Sequence, residues 1–306
     1  MEFLEVKKIW DKSPHNAFTD LIRFGDYLYC TFREADEHMS MDGKIRVIRS
    51  KDGKRWSSVA LMAYEGGDVR DGKFSITTKN ELMLNAGIRL HEPIDRHKTC
   101  SVSWLSKDGK KWSEIFTCPT GLGTWRWSVS WNKKSGFSIG YTGKDKQGCL
   151  YSTKDGKKWK VAKDKLFPFQ NSYWNESSIV FLENGDMYTL LRRDSQSYSA
   201  ILGVSKPPYE EWSWSDLNVP IGGPKMIYMK KQDKFLAAVR LFGHKSARTS
   251  LCWIDYEKGE LIEALALPSG GDTSYAGMVY EEDILWISYY SSHEGKTSIY
   301  LAKVKI

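Results

Sequence analysis

Ser50-Lys51-Asp52-Gly53-Lys54-Arg55-Trp56, Ser106-Lys107-Asp108-Gly109-Lys110-Lys111-Trp112 and Thr153-Lys154-Asp155-Gly156-Lys157-Lys158-Trp159 are three near-copies of one cassette. They recur at about 50-residue spacing without helical periodicity between them, which predicts an array of like β units of the propeller type. Within a cassette, Asp followed by Gly suits a tight turn in which the carboxylate accepts backbone N–H bonds, the Ser or Thr hydroxyl assists, and the Trp folds back as an apolar plug. A turn carrying two or three lysines faces water, so the cassette is a structural staple rather than a catalytic site.

Outward from the cassettes, the chain reads as short strands. Asp20 to Phe24, a turn at Gly25-Asp26, Tyr27 to Phe32 and Ile45 to Ile48 lead into the first cassette, and the order returns as Ile179 to Leu182, a turn at Asn184-Gly185, Met187 to Leu191 and Ala200 to Val204. Degenerate cassettes stand at Ser205-Lys206-Pro207-Pro208 with Trp212 and at Asp255 to Gly259. The reading is an all-β, six-bladed propeller of four-stranded antiparallel blades, one domain over residues 1–306. Leu285 to Tyr290 and Ser298 to Val304 are expected to pair with Phe3 to Ile9 and close the ring, removing exposed sheet edges.

Bulk properties narrow the function. The 306 residues contain no linker, low-complexity run or block of like charge, and the 13 Trp suit stacked sheets that need bulky plugs. Much of the +7 net charge lies in the cassette turns, and no basic stripe interleaved with aromatics points to nucleic acid. Five cysteines without metal-ligand spacing suggest buried, reduced thiols. No signal-peptide-like or membrane-length apolar stretch occurs, so the expectation is a cytoplasmic protein without a membrane partner. No H-E-x-x-H, phosphate loop, dinucleotide fingerprint or EF-hand pattern is present, and neither a cofactor nor a metal is expected.

Two further periodicities carry the functional reading. Before the first strand of each unit stands a polar cluster: His15-Asn16 with Asp20, Asp68-Val69-Arg70-Asp71, Trp125-Arg126, Asn175-Glu176, Gly222-Gly223-Pro224 and Asp272-Thr273-Ser274-Tyr275. In a propeller the innermost strands begin at one end of the central channel, so these side chains should converge there. At the far end of the second strands stand Arg33-Glu34, Arg192-Arg193, Arg240 and Tyr289-Tyr290, which antiparallel pairing returns to the same rim. Several arginines near one funnel suggest an anion site.

These residues bring a family into view: the chain resembles the sialidase superfamily of six-bladed propellers with Asp-box repeats, although its cassettes are one residue shorter than the usual S-x-D-x-G-x-T-W. The segment Glu176-Ser177-Ser178-Ile179-Val180-Phe181-Leu182-Glu183-Asn184-Gly185, running on to Arg192, is similar to the family's segment in which a catalytic Glu precedes a strand and a carboxylate-binding Arg follows. Arg240 followed by Asp272-Thr273-Ser274-Tyr275-Ala276-Gly277 is similar to the last triad arginine and the nucleophilic tyrosine. The chain also resembles a narrower group of bacterial sialidase-like proteins through His15 to Asp20, Phe32-Arg33-Glu34 with His38, Asp68 to Asp71, Gly271 to Tyr275 and Tyr289 to Ser298. Two positions depart from true sialidases: Asn16-Ala17-Phe18-Thr19 stands where an arginine motif is expected, and His38, with Asp36 and Glu37 beside it, stands near the acid/base aspartate.

The resemblance implies a glycosidase that cleaves a terminal, acidic sugar from a carbohydrate substrate. Tyr275 would be the nucleophile and Glu176 its base, because a neutral phenol is not repelled by a substrate carboxylate and the Glu can take its proton. His38 would protonate the leaving group, histidine ordinarily titrating near neutrality. Arg192 and Arg240 would bind the carboxylate with planar N–H forks, with Arg33 or Arg70 replacing the missing third arginine. Asp71, Arg126, Asp272, Asp20 and His15 complete the expected substrate-binding set. Asp68, Arg70 and Asp71 read equally well as an internal ion-pair network, His293-Glu294 as rim residues, and His91 and His97 as surface histidines. A non-catalytic glycan-binding propeller and a lyase remain the alternatives. The reading requires Glu176 to meet Tyr275, and Arg192 to converge with Arg240.

Overall fold

The computed structural model describes residues 1–141, 147–168, 173–194, 199–243 and 246–306. Its strands are β1 (Glu2–Trp10), β2 (His15–Phe24), β3 (Tyr27–Ala35), β4 (Lys44–Ser50), β5 (Ser57–Met62), β6 (Gly67–Ile76), β7 (Leu82–Ile94), β8 (His97–Ser106), β9 (Trp125–Arg126), β10 (Ser130–Trp131), β11 (Gly136–Tyr141), β12 (Cys149–Thr153) and β13 (Trp159–Lys163). They continue as β14 (Tyr173–Phe181), β15 (Met187–Asp194), β16 (Ser199–Ser205), β17 (Ser213–Met229), β18 (Lys234–Leu241), β19 (Arg248–Asp255), β20 (Glu260–Ala266), β21 (Thr273–Glu281), β22 (Ile284–Ser291) and β23 (Ser298–Lys305).

Antiparallel meanders organise them. β2-β3-β4-β5 form one sheet; β6-β7-β8 form another, whose fourth edge is reduced to a bridge between Ser103 and Phe116. β9 and β10 both pair with β11, which continues to β12 and β13. The long β17 serves two meanders: Ser213 to Pro220 pair with β16, and Ile221 to Met229 pair with β18. The last sheet, β21-β22-β23-β1, brings the two chain ends together through pairs such as Phe3 with Val304 and Val6 with Ala302.

The first strand of each meander packs against the next, from β2 through β6, β10, β14, the second half of β17 and β21 back to β2. Each junction carries a polar bond or more. Thr19 Oγ1 donates to the Tyr275 carbonyl (2.8 Å), the Phe74 amide donates to Asp20 (2.8 Å), Asn85 donates to the Trp127 carbonyl (2.8 Å), and Ser128 Oγ donates to the Ser177 carbonyl (2.9 Å). The Met226 amide reaches Ser178 Oγ (2.9 Å) and Arg240 Nε reaches the Thr273 carbonyl (2.7 Å), completing the circuit. Gly277 permits the closest approach: a Cβ there would lie 1.9 Å from the Leu21 amide nitrogen.

The cassettes act as expected from their composition. Asp52, Asp108 and Asp155 each accept two backbone N–H bonds at 2.8–3.1 Å, and the Ser or Thr hydroxyl accepts the Gly amide at 2.9 Å in all three. Their glycines have φ of +70°, +68° and +73°, the left-handed region where a side chain is disfavoured. Each cassette also rests on the preceding meander: Gly53 against Trp286, Gly109 against Tyr29 and Gly156 against Met83. The degenerate fourth copy keeps the scheme, with Ser205 Oγ donating to the Glu211 carbonyl (2.5 Å) and Trp212 Nε1 to the Tyr209 carbonyl (3.1 Å).

Gly109→Ala should therefore lower stability by about 2–4 kcal/mol, because left-handed strain of about 1–2 kcal/mol is joined by collision with the Tyr29 ring. Gly25→Ala, at φ +55° with open space around the new Cβ, should cost only about 1 kcal/mol. Urea unfolding of the two proteins tests this, and equal losses would contradict the docking role of the cassette.

Candidate active site at the head of the first strands

The pairing register slips at one level in the first strands: between Ala17 and Asp20, Arg70 and Lys73, Trp174 and Ser177, Gly222 and Lys225, and Ser274 and Gly277. Each slip is a bulge that places two residues opposite one and re-aims a side chain. Four bulges begin with a left-handed residue: Phe18 (φ +62°), Asp71 (+54°), Gly223 (+56°) and Tyr275 (+49°). For Phe, Asp and Tyr this backbone is unfavourable, and such strain collects at functional sites. The bulges put Phe18, Asp71, Glu176 and Tyr275 at one level around the axis.

Glu176 meets Tyr275. The Tyr275 hydroxyl donates to Glu176 Oε1, while Arg192 Nη1 donates both to that oxygen (2.8 Å) and to the phenolic oxygen (3.2 Å). The other carboxylate oxygen, Glu176 Oε2, accepts the Gly223 amide at 2.7 Å. Glu176 thus reaches over the meander begun by Gly223, where any Cβ would press on the Tyr275 ring at 2.9 Å. Burial, then the Glu176 charge, pushes the Tyr275 phenol well above its ordinary range, with Arg192 and Arg240 opposing the shift. The resting tyrosine is neutral and hydrogen-bonded to Glu176.

Arg192 and Arg240 converge. Both approach one point beside Gly222, Arg192 Nη1 at 3.7 Å and Arg240 Cδ at 3.6 Å from where a Cβ would stand. Arg192 Nε is held by Asp194 Oδ1 (3.0 Å), and Asp194 Oδ2 accepts from Asn175 (2.7 Å). Arg240 Nη2 donates to the Tyr290 hydroxyl at 2.9 Å. Among the described residues, neither Arg192 Nη2 nor Arg240 Nη1 has a protein acceptor, leaving one N–H face on each guanidinium for a ligand.

A second cluster surrounds Asp272. Its Oδ2 bonds His38 Nδ1 (2.6 Å) and His15 Nε2 (3.2 Å), and its Oδ1 accepts from the Tyr290 hydroxyl (2.7 Å). Burial works against charge on Asp272, but the bonds from His15, His38 and Tyr290 hold its carboxyl far below the usual range. His38 donates through Nδ1 and so presents Nε2, on a side chain 43% exposed. The donor atoms of His15, His38 and Asp272 lie within 4.8 Å of one another, the group among the described residues best disposed to hold a metal. The 2.6 Å separation fits a hydrogen bond better than two ligands of one cation, which stand about 3 Å apart when bonds are about 2.1 Å.

Phe18 joins the clusters, its ring centroid 5.1 Å from both His38 and Tyr275 and 5.4 Å from Tyr290. Trp127 flanks Tyr275 at 5.4 Å. Aromatic rings thus pack directly against the polar groups of both clusters.

Other expected ligand contacts are placed differently. Arg33 is fully buried: it bonds Asp68 (2.8 Å) and the carbonyls of Glu37 (3.0 Å) and Ser40 (2.7 Å), so it fixes a loop and cannot touch a ligand. Arg70 holds the His38 carbonyl (2.6 Å) beside Asp68, so the ion-pair reading fits Asp68 and Arg70 but not Asp71, and Arg33 takes the third place in the network. Arg126 turns away to the Thr120 carbonyl and lies over Trp159, since its neighbours Cys118 and Thr120 draw it off the axis. Asp20 is fully buried between the Phe74 amide and Lys225 (3.2 Å), a junction rather than a contact. His293 and Glu294 bond Ser291 and Tyr300, and His91 holds the Met41 carbonyl (2.9 Å), giving these histidines structural duties.

Asp71 differs from all of these: it is partly exposed and makes no hydrogen bond among the described residues. Burial, with Glu176 nearby, raises its pKa to about 6 against the pull of Arg70, Lys73 and Arg33. Asp194, Tyr141 and Lys225 escaped the sequence reading. Asp194 had a signal, standing two residues beyond Arg192 on the same face of a strand. Tyr141 did not; its phenol, raised well above the usual range by burial, interacts with Glu176 and Asp71.

No protein-family model matches the chain, and no curated protein matches it. Solved structures do. A Dyadobacter fermentans protein of unknown function superposes with a TM-score of 0.87 at 15% identity, covering 99% of this chain and 98% of the other. An α-L-arabinanase of Penicillium chrysogenum, complexed with arabinobiose, gives 0.76 at 16% identity over 100% and 99%. The NanB sialidase of Streptococcus pneumoniae gives 0.75 at 11% identity over 100% and 71%. The chain has the β-propeller fold of these glycosidases. At such identities the likeness extends to the fold alone.

Because Asp71 binds its proton more tightly folded than unfolded, its contribution should erode stability as pH rises from about 4 to about 6 and should be absent as a penalty below about 4. Asp71→Asn, which tolerates the left-handed backbone, should gain about 1–3 kcal/mol at pH 7.5 and nothing at pH 4. Urea unfolding at the two pH values measures this; the same ΔΔG at both would show that Asp71 does not titrate between them.

Proposed function

We propose that the protein is a six-bladed propeller exo-glycosidase that removes a terminal acidic sugar with retention of configuration. The observation that carries the reading is the Tyr275 hydroxyl seated on Glu176 Oε1, with Arg192 Nη1 touching both. A phenol bonded to a carboxylate and stabilised by a guanidinium is a nucleophile with its base in place.

As the Tyr275 oxygen attacks the anomeric carbon, Glu176 takes its proton, and Arg192 balances the charge that accumulates between them. On the departing side, His38 Nε2 gives a proton to the leaving oxygen while Asp272 holds Nδ1–H and stabilises the imidazolium. The glycosyl–tyrosine bond is then broken by water: neutral His38 takes the water proton, and the proton on Glu176 returns to the phenolate as it leaves. The free faces of Arg192 and Arg240 suit a carboxylate on the sugar, the group that makes a neutral nucleophile advantageous. His15 and His38 with Asp272 occupy the side where a third arginine would otherwise stand, which favours an acidic sugar other than an ordinary sialoside.

A panel of 4-nitrophenyl glycosides, including sialosides, uronides and neutral sugars, identifies the substrate. Tyr275→Phe should lower kcat by at least about 10³-fold, and full activity in that variant would rule out covalent tyrosine catalysis. Asp272→Asn should lower kcat by about 10–10³-fold through misorientation of His38, and should move the alkaline limb of the kcat/KM profile, which the proton donor sets. An unchanged profile would remove His38 from the proton transfer.

A further inference from the structure

Exposed large apolar side chains fall into two sets. Met1, Phe3, Leu4, Leu61, Val161 and Ile262 lie on or beside the edge strands β1, β5, β13 and β20. Met39 (63% exposed) and Phe242 (52%) instead follow second strands, and Ile94 (44%) ends one, at the rim that carries the site.

Two of these flank named site residues. Met39 directly follows His38, and Phe242 stands two residues beyond Arg240, just past the end of β18. The exposure of Met39 is imposed by its backbone. Arg70 holds the carbonyl before it at His38 (2.6 Å), and the fully buried Arg33 holds the carbonyl after it at Ser40 (2.7 Å). Asp42 accepts the Asp36 amide (3.1 Å), and His91 bonds the Met41 carbonyl (2.9 Å) from the neighbouring hairpin. Two buried guanidiniums thus fix a loop tip that ends in a solvent-facing thioether. Methionine is well suited to covering ligand surfaces of varied shape.

We propose that Met39 and Phe242 form an apolar lip that receives the leaving group, so that the bond cleaved joins the sugar to an aromatic or alkyl aglycone. The inference rests on the glycosidase reading only for which side of the bond lies at the mouth. His38, the proton donor to the leaving oxygen, is covalently adjacent to Met39, which puts an exposed thioether one residue from the group that faces the departing side of the bond. Arg240 draws the sugar's acid inward, and Phe242 stands outside it.

The test is calorimetric binding to Tyr275→Phe protein of two matched pairs: the methyl and 4-nitrophenyl glycosides of sialic acid and of glucuronic acid. The aryl member of at least one pair should bind about tenfold more tightly, the gain expected from covering one apolar ring. Met39→Ser and Phe242→Ser should each shrink that ratio about threefold or more, Met39→Leu should keep it, and Ile262→Ser on the edge strand should leave it unchanged. Equal binding of methyl and aryl members, a ratio insensitive to Met39→Ser and Phe242→Ser, or no binding by any of the four overturns the lip. Wild-type turnover of the same compounds separates the two ideas: an aryl preference without hydrolysis sinks the glycosidase reading and leaves the lip standing, whereas hydrolysis without aryl preference does the reverse.

Discussion

The bulge repeated at one level of the innermost strands is the constraint on which the site depends. A regular strand sends alternate side chains to opposite faces of its sheet, and both faces here are packed against neighbouring meanders. One slipped residue breaks the alternation and turns a side chain toward the axis instead. Phe18, Asp71 and Tyr275 accept a left-handed backbone to achieve it. The circuit of polar bonds between first strands, from Thr19 and Tyr275 round to Arg240 and Thr273, holds the strained residues in place.

Electrostatics then sorts the charged groups that meet there. Arg33 and Arg70 are absorbed by Asp68 and by loop carbonyls, and Lys225 by Asp20, leaving Arg192 and Arg240 each with an N–H face that has no acceptor among the described residues. Each remaining guanidinium is oriented by a partner that does not close it off, Asp194 for one and Tyr290 for the other. Buried charges kept in this way are costly unless paired, so the ion pairs around the pit are a condition of its existence as much as a source of function.

The two dyads share an organisation. In each, an acid bonds the group that would act on substrate: Glu176 the phenol, Asp272 the imidazole. Phe18 lies between them, its ring packed against both His38 and Tyr275. This is a pre-organised arrangement, with partners fixed before any ligand arrives. Gly223 is what permits it, since only a residue without Cβ lets Glu176 extend past one meander to the tyrosine of the next.

The sequence by itself determined the repeating β units and their turns, because Asp-Gly turn chemistry and strand alternation are local properties, while resemblance to the sialidase superfamily singled out Glu176, Tyr275, Arg192, Arg240 and His38 as candidates. Which arginines reach the pit was decided by tertiary structure. Arg33, Arg193 and Arg240 oppose equivalent positions just before a bulge, yet the first is claimed by Asp68 and the second by Ser199 and Asp216, leaving the third for the axis. Asp272 likewise changed from a ligand contact to the partner of two histidines 234 and 257 residues distant in the chain. A bulge and an ion pair each belong to two segments at once, and a single linear pattern holds only one of them.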